Sequence, residues 1–242
     1  MRQGTLHFTR TAMAGTLLGL LASAPVRAQE QLWKSFGNSS GDLFGETVAN
    51  AGDVNGDGIA DLIVGARTDS TSGGVARVVS GFDGSTIHTL YGTTANEQFG
   101  FAVAGIGDVN GDGFADFAIS SPFFGTKLWV GRVSVFSGQT GALLYRVQRG
   151  SFDRLGYSLA PTGDLNGDNV PDFVIGSAYG LYAEVVSGKD GSNVMTLKPS
   201  GGVPLFFSFA VATGGDVNGD GVDDIAVGDP DNQDLGFVNG SV

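Results

Sequence analysis

The sequence predicts an all-β chain, a β-propeller of four-stranded blades, on three observations. A nine-residue acidic motif recurs four times, at Asp53–Asp61, Asp108–Asp116, Asp164–Asp172 and Asp216–Asp224. Successive copies start 55, 56 and 52 residues apart, the spacing of blade-like repeats. Between copies run short apolar or alternating segments divided by Gly-rich turns, four per complete period, with no helical pattern after the first 28 residues. Four-stranded sheets repeated around an axis make a propeller.

Residues 1–28 read as an export signal. Arg2 and Arg10 give a basic start, Thr11 to Ala24 is largely apolar, and Val26-Arg27-Ala28 is a small-residue cleavage site. The apolar run is short for a bilayer span. The mature chain is expected to begin at Gln29 and to be secreted, periplasmic or on the cell surface. No later segment is apolar enough to insert into a membrane.

Four repeats follow, at residues 39–93, 94–149, 150–203 and 204–242, the last incomplete. Each opens on an aromatic-glycine pair nine residues before the acidic motif: Phe44-Gly45, Phe99-Gly100, then the weaker Leu155-Gly156 and Phe207-Ser208. A short strand leads into the motif. Its last Asp opens a second strand with few polar residues, as in Leu62-Ile-Val64 and Phe173-Val-Ile175. Continuous apolar strands are buried on both faces, as between stacked sheets. A variable connection then reaches an alternating third strand, such as Gly74 to Gly81. A Ser-Gly-x-x-Gly turn follows, with Gly supplying positive φ, and the fourth strands are Thr86 to Tyr91, Leu143 to Val147 and Asn193 to Leu197.

Each motif sets oxygen-bearing side chains at positions 1, 3, 5 and 9, the donors a hard cation such as Ca2+ requires. The expected ligands are Asp53, Asn55, Asp57 and Asp61; Asp108, Asn110, Asp112 and Asp116; Asp164, Asn166, Asp168 and Asp172; and Asp216, Asn218, Asp220 and Asp224. The carbonyls of Ile59, Phe114, Val170 and Val222 would fill position 7. Up to four Ca2+ ions are thus expected. An EF-hand is excluded, because position 12 is Val64, Ile119, Ile175 and Val227 rather than a carboxylate. A metal-free Asx turn is the competing reading. Three carboxylates per loop would repel one another without a cation.

The aromatic-glycine pair, the Asp-x-Asn-Gly-Asp-Gly-x-x-Asp loop and the apolar strand after it resemble the FG-GAP repeat. The resemblance covers nearly all of residues 39 to 242, and departs at Leu155, Ser208 and Asn169. It implies the seven-bladed propeller head of integrin α subunits and of many secreted bacterial proteins. About four repeats of such a ring are present here. It also implies that residues 29–38, with Glu30 to Phe36, are an outer strand that pairs with the last blade and closes the ring. Gly240-Ser241-Val242 aligns with the start of a third strand, so a truncated copy of a longer propeller is expected.

Composition narrows the function. The 242 residues carry a net charge of −12, against nucleic acid or anionic membrane as partner. Twelve of the 25 acidic residues occupy positions 1, 5 and 9 of the four motifs, so the acidity follows from the loops rather than from an acidic tail. There is no Cys, and one His, His88, follows the signal. The common nucleophile–base pairs cannot be assembled, and a non-enzyme is expected, with His88 a solvated surface residue. The resemblance implies adhesion or extracellular recognition of a protein or glycan partner. The alternative is a non-catalytic lectin-like or accessory domain of a larger secreted enzyme. The variable connections between second and third strands are the expected recognition loops. Pro122 to Val130, with Phe123, Phe124 and Trp129, is the leading candidate. Interblade packing of Phe123 and Phe124 is the competing reading.

Overall fold

Short apolar runs bounded by Gly and Asp fold here into antiparallel sheets. The computed structural model describes residues 5–10, 30–69, 73–125, 129–150, 152–199 and 207–230. Strand β1 (Thr5–Arg10) pairs with β2 (Glu30–Phe36). The first blade is β3 (Thr47–Gly52), β4 (Asp61–Ala66), β5 (Val75–Val79) and β6 (Thr86–Tyr91). The second is β7 (Val103–Gly107), β8 (Asp116–Ser121), β9 (Arg132–Phe136) and β10 (Leu143–Val147). The third is β11 (Ser158–Pro161), β12 (Phe173–Ser177), β13 (Tyr182–Val186) and β14 (Asn193–Leu197). Of the fourth, β15 (Ala210–Thr213) and β16 (Ile225–Gly228) are described. The start of its third strand, expected at residues 240–242, lies outside the described residues, as does most of the signal segment.

Each complete blade is an up-and-down meander whose neighbours in the sheet are neighbours in the chain. β8 and β12 are buried along their whole length, while β6, β10 and β14 are mostly exposed or half-buried. The reason is the stacking of sheet on sheet. Ile63, Ala76 and Val78 of the first blade share a core with Phe99, Val103, Phe117 and Ile119 of the second. Ala118, Val133 and Val135 meet Leu155, Phe173 and Ile175 of the third. Val174, Ala183 and Val185 meet Val211, Ile225 and Val227 of the fourth. The first strands pack in succession, β3 on β7, β7 on β11 and β11 on β15. The result is a partial β-propeller, and among the described residues the sheets do not close into a ring.

The aromatic-glycine pair is the hinge of this stacking. Phe99 is buried in the core between the first two blades. A Cβ on Gly65 of β4 would collide with the carbonyl oxygen of Gly100, so backbones meet there without side chains between them. The fourth blade has Ser208 where the others have Gly, and Ser208 keeps the same left-handed conformation at φ 63. Its hydroxyl repays the strain by donating to the Tyr182 carbonyl at 2.7 Å and accepting the Ser177 amide at 2.9 Å.

β2 sits against the first blade as an outer strand sits against the next blade. Trp33 covers Gly84 as His88 of β6 covers Gly141 and Tyr145 of β10 covers Gly191. The hydrogen-bonding partner of β2 is β1, which lies in the segment read as an export signal. His88 differs from its expectation as a solvated residue. It is half-buried, its Nε2–H donates to the Gly138 carbonyl at 2.6 Å, and its ring centroid is 6.3 Å from that of Phe117. The side chain bridges two blades because the outer strand of one lies over the turn of the next.

Candidate metal centre

All four acidic motifs lie in the connection from first to second strand, at the same end of the blades. In the first two blades a bulge leads the chain out of the strand, at Asn50/Gly52 and Gly105/Gly107. The loop then needs left-handed residues at positions 4 and 6. Gly56 and Gly58, Gly111 and Gly113, and Gly219 and Gly221 supply them, and Asn169 follows Gly167 at φ 65. The third loop therefore closes on the same backbone path despite lacking its second Gly.

The hydrogen bonds repeat from loop to loop. The Asp53 carboxylate accepts the amides of Gly56 at 2.7 Å, Asp57 at 3.1 Å and Gly58 at 2.8 Å. Asn55 Oδ1 accepts the Asp57 amide at 2.9 Å, and Asp57 Oδ1 accepts the Ile59 amide at 2.8 Å. Asp108, Asp164 and Asp216 each accept three equivalent amides. Asn110, Asn166 and Asn218 accept the amides of Asp112, Asp168 and Asp220.

The ninth position is different in kind. Asp61, Asp116 and Asp172 are fully buried. Asp61 accepts the Val54 amide at 2.9 Å and the Gly81 amide at 3.0 Å. Asp116 accepts Val109 at 2.9 Å and Gly138 at 2.8 Å, and Asp172 accepts Leu165 at 2.9 Å and Gly188 at 3.3 Å. Each of these carboxylates ties its loop to the Ser-Gly turn between third and fourth strands. Sequence reading missed that second role. The signal for it is the recurring Gly after Ser80, Ser137 and Ser187. A Cβ on Gly81, Gly138 or Gly188 would strike the carbonyl of Ala60, Ala115 or Pro171.

Burial pushes the carboxyls of Asp61, Asp116 and Asp172 up, and the amides just named pull against it. The fifth-position carboxylates Asp57, Asp112 and Asp168 push the same way. Asp216 is exposed, and the amides of Gly221, Gly219 and Asp220 hold it below the usual range. Among the described residues no three acidic or histidine side chains converge into a cation cage as they stand. The loop oxygens are instead turned on the loop's own amides. The donor set still fits a hard cation in kind: three carboxylates and one amide oxygen per loop, with no nitrogen or sulfur ligand in the expected set. A carboxylate has about four acceptor sites, so two or three amides do not exhaust it.

At the opposite end lie the connections between second and third strands. Phe123 and Phe124 are half-buried, with Arg154 of the next blade over the Phe123 ring at 4.9 Å, and Trp129 is 44% exposed. Arg132 of β9 lies over the Phe124 ring, 3.9 Å from its centroid, and pairs with the buried Glu97 at 2.6 Å.

The model of the FG-GAP repeat matches residues 44–79 and 99–136, the first two blades from the aromatic-glycine pair to the third strand. The chain carries FG-GAP repeats. The matched spans stop short of the repeats that begin at Leu155 and Phe207, the positions where the pair departs from Phe-Gly. Integrin alpha chains are similar to these FG-GAP blades. Integrin alpha pat-2 of Caenorhabditis briggsae is 31% identical over 218 residues, 77% of this chain and 18% of that protein. Integrin alpha-5 of Xenopus laevis is 34% identical over 64% of this chain and 16% of its own length. Integrin alpha-3 of Cricetulus griseus is 32% identical over 58% and 15%. The matched part thus amounts to less than a fifth of each relative's length. Among solved structures, the rhamnogalacturonan lyase YesW is similar over 74% of this chain and 40% of its own, with a TM-score of 0.47 and 20% identity. That likeness adds nothing to the functional reading.

Proposed function

We propose that this is an exported, calcium-stabilised FG-GAP propeller chain that recognises an extracellular protein or glycan and catalyses no reaction. The observation that carries the reading is one donor set repeated four times at one end of the blades. The relatives at 31–34% identity are integrin alpha chains, a resemblance that implies adhesion or extracellular recognition. Among the described residues no helix is long and apolar enough to cross a membrane.

In each loop the carboxylates at positions 1 and 5 and the amide oxygen at position 3 are the exposed or half-buried donors. The ninth Asp anchors the loop to its blade and offers its remaining lone pairs. Bound Ca2+ would supply positive charge where three carboxylates gather, and would tie the loop ends together. Residues 29–38 serve in this reading as an outer strand, with residues 1–28 as export signal.

Calcium titration of the full chain by calorimetry tests the proposal. Up to four sites are expected, with binding at about 10⁻⁴ to 10⁻³ M, as in extracellular modules. A chain that takes up no calcium at millimolar concentration would overturn it.

A further inference from the structure

The end of the blades opposite the acidic loops carries a cation that has no counter-ion among the described residues. Arg154 precedes the buried Leu155 and is fixed by its backbone: φ is 48, and its amide donates to the Trp129 carbonyl at 3.1 Å. Its guanidinium carbon lies 3.7 Å from the centroid of Tyr179, 4.5 Å from Trp129 and 4.9 Å from Phe123. Arg67, Arg77, Arg132 and Arg149 each reach an oxygen acceptor. Arg154 reaches none among the described residues, and its Nε is buried with no hydrogen-bond partner. The neighbouring Asp153 makes no ion pair with it; that carboxylate accepts the Tyr182 hydroxyl at 2.9 Å.

Three aromatic faces hold the guanidinium by their negative quadrupoles and orient it. They do not neutralise it, and they offer no acceptor to its N–H groups. The two residues nearest to it are partly exposed, Trp129 at 44% and Tyr179 at 45%. The aromatic surface continues across blades, with Phe101 4.8 Å and Phe209 4.6 Å from Tyr157, centroid to centroid. A planar cation with free N–H donors suits a carboxylate. Exposed ring faces beside it suit the C–H face of a pyranose, since the face of an aromatic ring is its negative side. One ligand class satisfies both, a sugar ring that bears its own carboxylate.

We propose that Arg154, flanked by Trp129 and Tyr179, is a binding site for uronate-containing glycans. The site rests on the recognition reading above and names its ligand class and its face. Arg154 takes the carboxylate, and Trp129 and Tyr179 take the ring. An acidic peptide would supply a carboxylate without the ring face, and a neutral glycan the reverse.

The test is calorimetric titration of the full chain, at fixed calcium, with tetragalacturonate, neutral galactotetraose and a tetraglutamate peptide. The uronate is expected to bind at least about tenfold more tightly than either other probe, a difference one charge-assisted hydrogen bond can supply. Arg154→Gln should remove that preference, and Tyr179→Ala should weaken uronate binding while leaving the calcium titration unchanged. Arg154→Lys keeps the charge and guards against a folding defect; it should retain part of the affinity. Equal binding by Arg154→Gln would overturn the site, and would instead mark calcium-bridged attachment at the acidic loops. No uronate binding, equal binding of the neutral sugar, or preference for the peptide would each overturn it too. A normal calcium titration alongside any of these would leave the calcium-stabilised propeller standing and remove the glycan site alone.

Discussion

Asp116 accepts the amide of Gly138 at 2.8 Å, across 22 residues of chain and from a fully buried position. The same carboxylate holds Val109 at 2.9 Å, so one side chain joins the acidic loop, the second strand and the turn before the fourth strand. Removing it strands two buried amides, at a cost of about 1–3 kcal/mol each. Asp112 is half-buried; it accepts the Phe114 amide and an Asn110 side-chain N–H within the loop, and outside it only the Ser137 hydroxyl, at a long 3.4 Å. Asp116→Ala is therefore expected to lower stability with or without calcium, and Asp112→Ala only with it. Urea melts of both variants in calcium and in EDTA check this. Equal losses in EDTA would remove the distinction between clamp and ligand.

Chelation is expected to lower the melting temperature sharply. At tenfold over Kd each site contributes about 1.4 kcal/mol, so four sites contribute about 6, which is comparable to the whole stability of many domains. Scanning calorimetry with excess EDTA against excess calcium reads the shift. An unchanged melt would exclude calcium as a stabiliser.

Glu97 and Arg132 form an ion pair with side-chain exposures of 0% and 6%. Glu97 also accepts the amides of Thr93 and Thr94. Glu97→Gln keeps an acceptor for those amides but leaves a buried guanidinium uncompensated, so a loss of about 3–5 kcal/mol is expected. The pair Arg67–Glu46 is more exposed, at 25% and 41%. Breaking that pair by Glu46→Gln should cost under about 1 kcal/mol. Chemical denaturation of the two variants compares them, and similar losses would contradict the burial argument.

Gly65→Ala is expected to open the joint between the first two blades. The new Cβ would meet both the Gly100 carbonyl and Thr47 Oγ1, which itself donates to that carbonyl at 3.0 Å. Neither can retreat without moving a strand, and such overpacking costs about 1–3 kcal/mol. Hydrogen exchange should show the loss concentrated in β3, β4 and β7. Wild-type protection there would show that the sheets are free to slide apart.

The sequence by itself determined the repeat, the all-β class and nearly every blade strand that the structure describes. These are local matters. Gly at positions 4 and 6 permits a loop that only left-handed residues can follow, and Ile63, Ile119 and Ile175 sit in runs apolar enough to need cover on both sides. The shared loop of Asp53, Asn55 and Asp57 was legible for the same reason, since all three lie within five residues of chain. What only the tertiary structure decided are the contacts between segments far apart in the chain. Asp61 looks like its neighbours in sequence, yet its second partner is Gly81, in a turn two strands away. His88 reads as a surface residue until the next blade brings the Gly138 carbonyl over it. Arg154 carries no motif at all. Its ring of Phe123, Trp129 and Tyr179 is assembled from connections in two blades. Periodicity fixes which residues a blade buries, but the pairing of one blade's loops with another's depends on how the sheets stack, and no single repeat contains that information.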